Sequence, residues 1–294
     1  MAVTTNTTTT SQITVAVKEM DFITRFENNW QALREIIGIS RPVRKQPGTK
    51  LVASTASVTL QSGTVAEGDE IPLSQATVSP VAYADIALEK YRKRVTIEAV
   101  EKYGAKVAVQ KTDDAFLNEL TGNVMDKFYT FLGTGSLTDS RDTFQMALSM
   151  AVTKVKDKFK SAHLNYGNIV AFVNTLDVGE YLGAAQISTQ TRNGIEYLKD
   201  FLGASTVIIS SEVPQGKIYA TPAENIVLYY IDPADGDFAE LGLEYTTGLS
   251  ATNLIGVHKE GVYGRASGDT FAILGMVLFA EYLDGICVMS IAKT

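Results

Sequence analysis

The 294-residue chain has one cysteine, Cys287, two histidines, His163 and His258, and not one lysine between Leu51 and Glu89. A single cysteine excludes a disulfide framework and fits a reducing compartment, with a buried, inert thiol. The two histidines stand outside any metal-ligand spacing such as H-E-x-x-H, and isolated histidines of this kind are more often structural than catalytic. There is no G-x-S-x-G elbow and no G-x-x-x-x-G-K-[ST] phosphate loop, so neither hydrolase nor nucleotide chemistry has a recognisable seat. No catalytic residue, cofactor site or metal ligand is assigned. The longest apolar run, Phe271 to Ala280, is half the ~20 residues a membrane span needs and reads as a buried strand. The opening MAVTTNTTTTSQITVAV lacks the charged and apolar regions of a signal peptide. These absences point to a cytoplasmic site of synthesis and no membrane partner. A net charge of −7 argues against a protein whose main task is gripping nucleic acid through a broad basic face.

What is present is an ordinary globular composition, 45% hydrophobic and 20% charged. The Thr-rich first dozen residues have little to bury and read as an extended arm. Phe22, Phe26, Trp30, Leu33 and Ile37 then recur at helical spacing, an amphipathic helix whose apolar face needs a partner surface. Leu51 to Leu60 roughly alternates, EGDEIP is turn chemistry, and VAYADIALEKYRKRVTI returns as a second strand. The result is a long ribbon with acidic Glu67, Asp69 and Glu70 at its turn and basic Lys90, Arg92, Lys93 and Arg94 where it rejoins the body. Such a ribbon is at best marginally stable alone.

Two helices follow. The first, in TDDAFLNELTGNVMDKFYTFLGTG, has Thr112 as expected N-cap, a stripe of Phe116, Leu120, Val124, Phe128 and Phe131 or Leu132, and a stop at Gly133. The second turns Phe144, Leu148, Val152, Val155 and Phe159 inward and its lysines largely outward. Beyond Asn168 the chain alternates: NIVAFVNTL strand, VGEYLGAAQ helix, GIEYLKDFLG helix, STVIISSEV and NIVLYYID strands, then a tail of glycine-punctuated strands. GTGS after the first helix reads as a helix stop, DPADGD as a turn rather than a cation site, and RPVRK as a solvated strand or a basic patch meeting an acidic one on another copy.

The order of these elements, with EGDEIP, KRVTIEAVEKYG, KTDDAFLNEL and FAILGMVLFAEYLDG, resembles the major capsid proteins of tailed phages and their Hong Kong-type α+β fold, also found in encapsulin shells. The resemblance implies an N-terminal arm (1–48), an extended E-loop hairpin (49–94), a peripheral domain with a long spine helix (95–139), an α/β axial domain (140–264) and peripheral C-terminal strands (265–294). It further implies self-assembly as hexamers and pentamers into an icosahedral head enclosing double-stranded DNA without sequence-specific binding. Glu67, Asp69 and Glu70 would then meet Lys90, Arg92, Lys93 and Arg94 of a neighbouring copy, and Phe22, Phe26 and Trp30 would join the same contacts. Because fewer than fifty residues precede the hairpin, a separate scaffolding protein is expected, beside a portal. The location implied is the virion, with the host cytoplasm during assembly. An encapsulin-like compartment is the alternative and a soluble α/β enzyme a weaker one, since no nucleophile, base and orienting group can be assembled from the motifs.

Overall fold

The computed structural model describes residues 41–46, 52–61, 63–67, 69–82, 86–185, 189–192, 195–247 and 254–292. The expected helix with Phe22, Phe26 and Trp30 lies outside them. The first part holds β1 (Arg41–Lys45), β2 (Val52–Thr59), β3 (Gln75–Ala82), β4 (Leu88–Thr96) and the short helix α1 (Ile97–Tyr103). A π-helical turn, Lys106–Lys111, runs directly into the long helix α2 (Thr112–Leu132). Then come β5 (Leu137–Arg141), α3 (Phe144–Ser161), β6 (Ile169–Asn174), α4 (Thr175–Ala185), β7 (Gln190–Arg192), β8 (Ile195–Phe201), β9 (Ala204–Ser210) and β10 (Lys217–Pro222). The last part holds β11 (Ile226–Ile231), α5 (Gly236–Glu240), β12 (Thr246–Thr247), β13 (Ile255–Val262), β14 (Ser267–Ala280) and β15 (Cys287–Ile291).

These strands form three sheets. One is the isolated β2–β3 pair, in register from Val52 opposite Ala82 to Thr59 opposite Gln75. The second, six-stranded, has the order β1-β11-β14-β13-β12, with β4 also paired to β14. The third, seven-stranded, has the order β5-β15-β10-β6-β9-β8-β7.

The seven-stranded sheet is covered on both faces, which explains why β6 is buried along its whole length. Val170 and Phe172 point to the α2 side, together with Ile208 and Tyr219. Ile169, Ala171 and Val173 point to α3, with Val207, Ile209, Ile218 and Met289. On α3 the inward stripe is Phe144, Ala147, Leu148, Ala151, Val152, Val155 and Phe159, and Thr143 caps the helix by accepting from the Met146 amide. Cys287 is buried in this layer, where burial pushes its thiol up to about 11.

Helix α2 packs its own stripe, Leu117, Leu120, Val124, Phe128 and Leu132, against both large sheets at once. Phe128 meets Phe172 edge-on at 5.3 Å and Tyr129 at 5.4 Å. This junction welds the two sheets into one core.

Several expectations change. Thr112 is no N-cap: the helix continues from the π-helical turn, and its hydroxyl donates back to the Ala108 and Val109 carbonyls at 2.7 and 3.0 Å. IEYLKDFLG is not a helix but β8 and the tight turn after it, with positive φ at Asp200 near the end of the strand and at Leu202 and Gly203 in the turn. The strand that was to return along the ribbon is two strands: β3 pairs with β2, whereas β4 belongs to the six-stranded sheet. β11 and β13 share a sheet with β14, while the final strand β15 joins the other sheet. Gly135 within GTGS is demanded by packing, because a Cβ there would come 2.5 Å from the Ile286 carbonyl oxygen.

Candidate functional site: the ribbon, its acidic turn and its basic foot

Strand alternation divides the side chains of β4 between two faces. Glu89, Tyr91 and Lys93 face α2. Glu89 pairs with Lys127 and accepts from the Tyr91 hydroxyl at 2.6 Å. Lys93 pairs with Asp113 in the first turn of α2, and Lys259 reaches the same carboxylate from β13 at 3.1 Å. The register explains the geometry, since Thr270 of β14 lies between Lys93 and Lys259 in one row across the sheet.

Lys90, Arg92 and Arg94 face the other way. Arg94 stands opposite Asp269 in the register and forks onto both carboxylate oxygens, at 2.6 and 2.7 Å. Arg92, one pleat along, donates from its Nε to Asp269 at 2.8 Å and lies over the Phe271 ring at 5.0 Å. The Asp269 side chain is fully buried beneath these two guanidiniums. Hydrogen bonding from Arg94 first, then Arg92, outweighs that burial and holds its carboxyl far below the usual carboxylate range. Lys90 is exposed and makes no ion pair among the described residues.

Arg92, Lys93 and Arg94 therefore have acidic partners inside their own chain. Four bases (Arg92, Lys93, Arg94, Lys259) against two acids (Asp113, Asp269) still leave a surplus of two positive charges, of which Glu260 at the rim offsets one.

The turn beyond β2 and β3 carries exposed Glu67, Asp69 and Glu70, with the Asp69 amide donating to the Ala66 carbonyl at 3.1 Å. Around them Leu60, Ile71 and Leu73 are 79%, 73% and 92% exposed. At the foot, β4, α1 and the β13–β14 hairpin enclose a groove of about 620 Å³, walled by Val95, Ile97, Val100, Val109 and Val262, with Tyr263 fully exposed at its lip.

RPVRK is β1, an edge strand parallel to β11. Its Arg44 reaches Asp232 at 3.5 Å and Asp235 at 3.2 Å, so two carboxylates of DPADGD serve an ion pair in a turn. His258 tilts against Phe271, and His163 sits in a left-handed turn at φ 55°. Among the described residues no group of three or more His, Cys, Asp or Glu gathers, and no helix is long and apolar enough to cross a membrane.

No protein-family model and no curated relative matches the sequence. Solved structures do. The chain is similar to the capsid of cyanophage A-1(L), with a TM-score of 0.60 at 12% identity, over 89% of this chain and 93% of that one. It is similar to the capsid of a native GTA particle, with a TM-score of 0.55 at 11% identity, over 89% and 90%. It is similar to the SrpI encapsulin of Synechococcus elongatus, with a TM-score of 0.52 at 12% identity, over 87% and 86%. The mixed α+β architecture is thus the fold of phage capsid and encapsulin proteins.

Proposed function

We propose that this chain is the major capsid protein of a tailed bacteriophage. It assembles as hexamers and pentamers into an icosahedral head around double-stranded DNA, with a separate scaffolding protein and a portal as assembly partners, first in the host cytoplasm and finally in the virion. The observation that carries this reading is the β2–β3 ribbon, which pairs with neither large sheet. A two-stranded ribbon is not self-sufficient in water, and each of its bare apolar side chains gains about 1.5–3 kcal/mol when fully buried.

The partner surface is a second copy. The turn is acidic and apolar together; the groove at the foot of the ribbon is apolar-walled, with Lys93 and Lys259 in its lining. Repeated around a closed ring, such contacts set register more than they add affinity. The net charge of −7 suits a wall that encloses DNA without adhering to it.

Similarity to an encapsulin supports a second reading, a compartment around protein cargo. Electron microscopy of particles formed by the full chain, with analysis of their contents, separates the two. Closed shells with nuclease-protected DNA in the infected host are expected. Shells filled with an enzyme would favour the compartment, and a protein that forms no shells under any assembly condition would overturn both.

A further inference from the structure

Where the last turn of α2 meets the loop after β9, a cavity of about 460 Å³ is lined by Asp126, Tyr129, Thr130, Glu212 and Tyr219. Asp126 and Glu212 both line it, and neither makes an ion pair among the described residues. Lys127, next in sequence, is committed to Glu89. Tyr129 is only 3% exposed, yet its hydroxyl meets no hydrogen-bond geometry among the described residues; the nearby Ser210 hydroxyl accepts from the Glu212 amide at 3.2 Å. Tyr219, 5% exposed, brings its hydroxyl to the Gly133 end of the helix.

Every group here is an oxygen that a cation would satisfy. Two carboxylates lining one cavity repel unless a proton or a metal stands between them. A buried hydroxyl without a partner costs about 1–3 kcal/mol. The carbonyl end of a helix is negative, and α2 has no basic residue in its last turn to offset it. Hard divalent cations are held by one or two carboxylates together with several waters, for which this cavity has room.

We infer that Asp126 and Glu212, with the Tyr129 hydroxyl behind them, form a site for a hydrated divalent cation of the magnesium or calcium type, one that pins α2 to the seven-stranded sheet.

Terbium tests this directly, because it takes oxygen ligands and emits when a tyrosine beside it is excited. The full chain, both free and assembled, should give sensitised emission that magnesium or calcium displaces, the more effective competitor naming the cation. The double variant Asp126→Asn, Glu212→Gln should lose that emission while melting no lower than the wild type without metal, since its repulsion is gone. Added magnesium or calcium should raise the melting temperature of the wild type only. Unchanged emission from the double variant, or no emission from the wild type, would overturn the site. Binding by free subunits that vanishes on assembly would also overturn it, pointing to a basic side chain from a neighbouring copy.

Discussion

Arg94 on β4 and Asp269 on β14 stand directly opposite each other and join through both carboxylate oxygens, at 2.6 and 2.7 Å. The foot of the ribbon is therefore fixed within its own chain. Asp269→Asn should lower the melting temperature by several degrees, because two guanidiniums lose their counter-charge over a buried side chain. The pH dependence follows from the lowered carboxyl. Stability from this group is fully present above the unfolded value of about 3.9 and is lost as pH falls through the lower folded value. Thermal melts from pH 7 downward should converge for the two proteins only at strongly acid pH. Curves that stay parallel would show that Asp269 is not linked to folding.

Charge reversal separates the two ends of the ribbon. Glu67→Lys with Asp69→Lys and Glu70→Lys changes only exposed turn residues, so the subunit should melt as before while shell formation, followed by sedimentation, is lost. Arg94→Glu should destabilise the subunit itself, and adding it to the acid reversal should not restore shells. Rescue by the combined variant would mean that the intrachain pair gives way on assembly.

Replacing residues 52–82 by a short flexible linker should leave the melting temperature within a few degrees of the original, since β2 and β3 pair only with each other. Particles should not form. Normal shells from this variant would remove the ribbon from the assembly contacts.

The interior predicts a sharper loss. Phe128 is fully buried between the two large sheets, against Phe172 and Tyr129. Phe128→Ala should cost about 3–5 kcal/mol of unfolding free energy by denaturant titration. A cost under 1 kcal/mol would mean that the junction collapses around the gap.

The stripes of α2 and α3 were readable because a 3.6-residue period over eighteen to twenty-one residues has few competitors. Ile195, Leu198 and Phe201 mimic that period over only seven residues, and there the hairpin with β9 decides for strand. The partners of the basic strand were out of reach: Asp113 and Asp269 lie 20 and 175 residues from Lys93 and Arg94. No local pattern announces that they meet, nor that Asp126 meets Glu212; register across β14 and the packing of α2 decide both.

The last prediction concerns covalent welding. Some shells of the type this sequence resembles close by an isopeptide bond between a lysine near the E-loop tip and an asparagine of a neighbouring subunit. That reaction needs an amine at the tip, deprotonated by nonpolar surroundings so that its lone pair can attack the amide carbon. From Leu51 to Glu89 there is no lysine. Lys90 sits in the body sheet, beyond paired strands of eight residues that span about 26 Å at 3.3 Å per residue. Three carboxylates at the turn would also hold any nearby amine protonated. On the proposed function, contacts between copies are expected to be non-covalent. Mature particles boiled in denaturant should run as one monomer band at 31.8 kDa, and a ladder of its multiples surviving that treatment would refute the claim.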